Sequence, residues 1–126
     1  MRAVNLSKSE WSLMNALWEH APCTITGLVE LFSGETGWSK HTIISMLNRL
    51  EAKGAVRHEE GSRAKQFYPA IDRADTRRQE TRSFLSKLYG GSLGLMVNTL
   101  VGEDVLTKEE LDELDAILKR AQEGRK

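Results

Sequence analysis

Residues 37–54, GWSKHTIISMLNRLEAKG, leave little choice of secondary structure. Ser39 is a good N-cap, Gly54 supplies the left-handed residue that stops a helix, and the positions between repeat with a 3.6-residue period. Ile43, Met46, Leu47 and Leu50 form one apolar stripe at i, i+3, i+4 and i+7. The opposite side carries His41, Ser45 and Asn48, with Thr42 and Arg49 on one shoulder. A single acid, Glu51, lies on this helix, although the chain holds 18 acidic and 18 basic residues. A helix clamped by one face, with short polar groups and almost no carboxylate on the other, suits contact with a polyanion.

The flanking segments supply a frame for that helix. Upstream, LSKSEWSLMNALWEHAP opens with a capping box of Ser7 and Glu10, and Pro22 stops the helix. Trp11, Met14, Leu17 and Trp18 mark one face of it, and both tryptophans are expected in the core. TITGLVELFSG reads as a short extended piece and a brief helix capped near Thr26, closing at Gly34. Downstream, AVRHEEGSRAKQFYPAI has two short β-prone runs around a Gly-Ser turn, which signals a hairpin. Pro69 cannot donate to a ladder, so this hairpin is expected at the periphery. Three helices followed by a hairpin is the order of a winged helix-turn-helix domain.

The remainder reads as three helical segments. DRADTRRQETRSFLSKLYGG carries Phe84, Leu85 and Leu88 before a double-glycine stop, and SLGLMVNTLVGED is a short apolar helix with Leu95 and Leu100. TKEELDELDAILKRAQ begins with a second capping box, Thr107 and Glu110, and carries Leu111, Leu114 and Leu118 on one stripe. A leucine-rich module this small rarely buries enough core alone. Packing against a second copy is the expected solution, through Phe84, Leu85, Leu88, Leu95, Leu100, Leu111, Leu114 and Leu118. The expected fold is therefore mainly α, a winged helix-turn-helix domain over residues 1–71 followed by a helical dimerisation domain over residues 72–126.

Double-stranded DNA is the polyanion that fits. The major groove admits a helix, and its base edges offer donors, acceptors and the thymine methyl. Ser39 and the first backbone N–H groups suit a phosphate at the helix N-terminus. His41, Thr42 and Ser45 are placed nearest base edges, with Asn48 on the same face, while Lys40, Arg49 and Lys53 reach toward phosphates. Arg63 and Lys65 flank the hairpin turn, where a wing tip would meet the backbone. Two copies would give two reading helices, matching a two-fold operator. The net charge of zero leaves a second reading open, a winged helix used as a protein-interaction module. The charge is uneven: residues 1–82 carry +2 and residues 83–126 carry −2.

Other chemistries find no support. No nucleophile–base arrangement appears, and SGETG lacks the lysine and spacing of a phosphate-cradling loop, so an enzyme is not expected. One cysteine, Cys23, excludes an internal disulfide and a cysteine-based metal cluster. His20 and Cys23 have H-x-x-C spacing, but stable zinc sites use three or four protein ligands, so neither a metal nor a cofactor is expected. Trp38, just before the reading helix, is placed to staple its angle of approach. Arg73, Arg77, Arg78 and Arg82 read either as extra phosphate contacts or as a solvated face with acidic partners. No apolar run is long enough to span a membrane, MRAVNLSKSEW lacks a signal-peptide core, and the cytoplasm is the expected address.

The stretches LSKSEWSLMNALW, GWSKHTIISMLNRLEAKG, AKQFYPAI and LTKEELDELDAIL together resemble the penicillinase-repressor family of bacterial regulators (the BlaI/MecI/CopY group). The most specific parts are the E-W-x-x-M-x-x-L-W pattern and W-S-x-x-T-I joined to R-L-x-x-K-G. The resemblance implies an N-terminal winged helix, a helical dimerisation domain and repression by homodimers on operator palindromes. It also implies induction by a protease under a membrane-bound β-lactam sensor. Where drug-resistance members read Lys-Thr-Ile-Arg, this chain has His41-Thr42-Ile43-Ile44, and their cleaved Asn-Phe pair falls at Thr99-Leu100, with Asn98 one place earlier. The Cys-x-Cys motifs of copper-responsive members do not occur after Glu103.

Overall fold

The computed structural model describes residues 4–34 and 36–125; residues 1–3, 35 and 126 lie outside it. The elements run α1 (Lys8–His20), α2 (Ile25–Phe32), α3 (Lys40–Ala52), β1 (Val56–Glu60), β2 (Lys65–Pro69), α4 (Arg73–Tyr89), α5 (Leu93–Gly102) and α6 (Lys108–Glu123). By Cα proximity the chain divides into two compact units, Met1–Glu80 and Thr81–Lys126.

The first unit holds the entire buried apolar core of the described residues. Leu13, Met14 and Leu17 of α1, Leu28 and Phe32 of α2, and the α3 stripe Ile43, Met46, Leu47 and Leu50 meet there with Val56 and Phe67 of the hairpin. The capping box forms as the spacing demands. Ser7 Oγ accepts the Glu10 N–H at 3.2 Å, and the Glu10 carboxylate accepts the Ser7 N–H at 2.9 Å. The third helix is capped by Ser39 and ends in a Schellman turn: Gly54 sits at φ +85°, with Gly54 N–H on Glu51 O and Ala55 N–H on Leu50 O.

Three expectations need correction. The N-cap of α2 is Thr24, whose hydroxyl accepts the Gly27 N–H at 3.0 Å, rather than Thr26. The two-residue shift confines the extended piece to Cys23. Its backbone bridges Phe67 in both directions, at 3.1 and 2.8 Å, so β2 has a partner on each side and the hairpin is less peripheral than Pro69 suggested. Pro69 closes β2, beyond that bridge, where its missing N–H breaks nothing. The tryptophans of α1 are half-buried rather than core. Trp18 packs against the core edge and donates its indole N–H to Ile71 O at 3.0 Å, while Trp11 leans on Trp18 with ring centroids 5.9 Å apart.

The second unit is built differently. Tyr89 is followed by Gly90 and Gly91, both at positive φ, which end α4; Ser92 caps α5, and Thr107 with Glu110 forms the second capping box ahead of α6. Its helices have sound ends but no interior. Among the described residues none from 81 to 125 is buried, and Phe84, Leu88, Leu95, Leu111 and Leu118 are exposed large apolar groups. Met96, Val97 and Leu100 of α5 and Leu114 and Ile117 of α6 line a shallow apolar groove of about 300 Å³. Leu85, Leu100 and Leu114 are half-buried.

Candidate nucleic-acid interface

The outward face of α3 begins at its cap. Ser39 Oγ accepts the Thr42 N–H at 3.1 Å and lies 3.0 Å from Thr42 Oγ1, so this cap ties down the first turn and orients the threonine hydroxyl. Ser39, Lys40, His41, Thr42, Asn48 and Arg49 are all exposed. Ser45 is half-buried, at the flank of the face rather than its crest. Trp38 is half-buried against the core, and its ring lies against Phe32 of α2 with centroids 4.8 Å apart.

The acids near this face are occupied. Glu51 Oε2 lies 2.5 Å from His58 Nδ1, which couples the last turn of α3 to β1, and His58 Nε2 lies 3.5 Å from Glu60. On the hairpin, Arg57 pairs with Glu59 at 2.8 Å and stacks 4.2 Å above the Tyr68 ring centre. Arg63 and Lys65 are exposed at the tip, with Arg63 in the loop between the strands.

The basic residues at the end of α3 meet an acid that sequence spacing did not connect to them. Glu10, only 2% exposed, takes Lys53 Nζ at 2.7 Å and Arg49 Nε at 3.7 Å. Lys53 donates again to Asn5 O at 2.8 Å. Capping chemistry predicted one partner for Glu10; the second, 43 residues away, was hidden because it depends on tertiary packing. Burial pushes the Glu10 carboxyl up, but hydrogen bonds from Lys53 and Ser7 outweigh it and hold the pKa below the ordinary 4.5. A depressed carboxylate stabilises the fold above its unfolded pKa and ceases to do so as pH falls through the folded value. Thermal midpoints measured from pH 7 to 3 should therefore drop below about pH 4.5, and Glu10→Gln should flatten part of that drop. An unchanged acid limb in the variant would remove Glu10 from the balance.

Two arginines of α4 have partners within the chain. Arg73 reaches Asn15 at 3.2 Å and Glu19 at 3.5 Å and lies 5.6 Å from the Trp18 ring, while Arg78 pairs with Asp75. Cys23 is buried, and burial pushes its thiol up. His20 is exposed at the end of α1.

This geometry meets close relatives. The family model described as "Penicillinase repressor" matches residues 6–120. The chain belongs to the penicillinase repressor family. It is 33% identical to the penicillinase repressor of Bacillus licheniformis over 96% of this chain and 94% of that protein. It is 25% identical to the methicillin resistance regulatory protein MecI of Staphylococcus aureus, over 94% of this chain and 97% of that one. Among solved structures, the DNA-binding domain of the repressor BlaI shares 31% identity at a TM-score of 0.53, covering 59% of this chain and 90% of that domain. Monomeric B. licheniformis BlaI bound to the blaP half-operator gives the same identity and coverage at 0.52. A penicillinase repressor is a transcription regulator and not an enzyme, and the fold is that of a winged helix. Thr99 and Leu100 lie within α5, with Thr99 Oγ1 donating to Leu95 O at 2.9 Å. Among the described residues no helix is long and apolar enough to cross a membrane.

Proposed function

We propose that this penicillinase repressor binds a palindromic operator as a homodimer in the cytoplasm, with α3 in the major groove and the β1–β2 wing tip on the flanking backbone. The observation that carries the reading is the exposed face of α3. It offers His41, Thr42 and Asn48 with no free carboxylate, since Glu51 is held by His58. The solved BlaI structure with which this chain shares 31% identity is a complex with the blaP half-operator, which supports operator DNA as the partner. Lys40, Arg49, Arg63 and Lys65 supply phosphate contacts in this reading, and His41 and Thr42 face bases, with Ser45 beside them. Residues 1–71 carry the DNA contacts and residues 72–126 the self-association. The absence of any buried residue in α5 and α6 supports the second role, because such helices gain a core only from a second surface.

Fluorescence anisotropy tests the reading. A labelled duplex from the upstream region of the protein's own gene is titrated at several salt concentrations beside a scrambled duplex. The native duplex should bind more tightly, with a log–log salt slope of roughly −0.9 for each phosphate neutralised. Equal, weak binding to both duplexes would overturn the sequence-specific role and favour a protein partner.

A further inference from the structure

The Glu10 site bears on how many phosphates α3 can grip. Lys53 is the C-cap residue of α3 and, by position, a natural phosphate ligand. Its ammonium is nevertheless committed twice within the domain, to Glu10 at 2.7 Å and to Asn5 O at 2.8 Å. The Glu10 side chain is 3% exposed, so Lys53 could leave only by taking the nearest cation from a buried carboxylate, which would keep just the Ser7 N–H and the more distant Arg49. Arg49 stands differently. Its side chain is 61% exposed and its approach to Glu10, Nε at 3.7 Å, is longer than a hydrogen bond, so the guanidinium stays open to another partner.

We propose that Glu10 is a positioning residue that withholds Lys53 from DNA, which leaves Arg49 as the phosphate ligand at the C-terminal end of α3. The inference rests on the DNA-binding reading above and deepens it. A carboxylate of α1 then sets the number of phosphate contacts made by the reading helix, and with it the sequence-independent part of the affinity.

The test is the same anisotropy experiment on the full chain carrying Arg49→Gln, Glu10→Gln, Lys53→Gln or the double change Glu10→Gln with Lys53→Gln. Arg49→Gln should make the salt slope shallower by roughly 0.9 for each protomer bound. Lys53→Gln should leave the slope at the wild-type value. Because that variant strands Glu10 and could fail to fold, the double variant, which removes both charges, repeats the measurement and should also keep the wild-type slope. Glu10→Gln still accepts the Ser7 N–H but releases Lys53, so it should steepen the slope by roughly 0.9 per protomer and tighten binding to the scrambled duplex at low salt. A merely structural Glu10 would weaken binding there instead. A slope in the double variant as shallow as that of Arg49→Gln, or an unchanged slope in Glu10→Gln, would overturn the inference. A wild-type chain that binds neither duplex fails the DNA-binding reading itself, and this inference falls with it.

Discussion

Leu118→Asp should turn a dimer into a monomer in sedimentation and weaken operator binding by about 10²- to 10⁴-fold, the usual worth of linking two binding modules. The residue is chosen for its position in the protomer. Leu118 is 50% exposed on α6, on one stripe with Leu111, so a carboxylate there meets water in the single chain and disturbs no packing. In a dimer the same carboxylate is pressed into an apolar contact, where an unpaired charge is costly. Leu114 would be a poorer probe, because it already lines the groove between α5 and α6 and its loss would damage the protomer too. The first unit has its own core, so circular dichroism and the melting of that unit should stay near wild type. An intact dimer would remove Leu118 from the interface. A monomer with undiminished operator affinity would instead separate DNA binding from self-association.

Local chemistry made much of this molecule legible before its structure. Both capping boxes, the Ser39 cap, the Gly54 stop and the double glycine after Tyr89 each depend on residues within a few positions of one another, and each formed as spacing required. The α3 stripe was legible for the same reason: one period fixes which four residues go inside. What sequence concealed were contacts between distant segments. Thr24 competed with Thr26 for one cap, and the choice follows from Cys23 pairing with Phe67, forty-four residues away in sequence. Trp11 shared the helical face of the core residues, but the core is filled by Leu13, Met14 and Leu17, leaving Trp11 to rest on Trp18. In the candidate site, the exposed N-terminal residues of α3 follow from helical geometry alone. The commitment of Lys53 does not, because a lysine near a helix end looks the same whether its partner is a phosphate or a buried glutamate.

Thr42→Ala should cost about 1–3 kcal/mol of operator binding, the worth of one good base contact, and leave binding to a scrambled duplex unchanged. On the affinity scale that is roughly a 5- to 150-fold loss. The structure makes the substitution a clean one. Ser39, not Thr42, supplies the capping oxygen, and the Thr42 backbone N–H that it binds survives the change. Alanine is the better helix former, so folding is not expected to suffer. What disappears is a hydroxyl held 3.0 Å from Ser39 Oγ at the exposed start of α3, together with a methyl group suited to a thymine. Two further variants divide the effect. Thr42→Ser keeps the hydroxyl and Thr42→Val keeps the methyl, so whichever retains affinity identifies the group that meets the base. The salt slope should not move in any of the three, since no phosphate contact is removed. A shallower slope would place Thr42 on the backbone rather than on a base. Full operator affinity in Thr42→Ala would move the reading of bases to the neighbouring His41 and Asn48, the other exposed polar groups of that face.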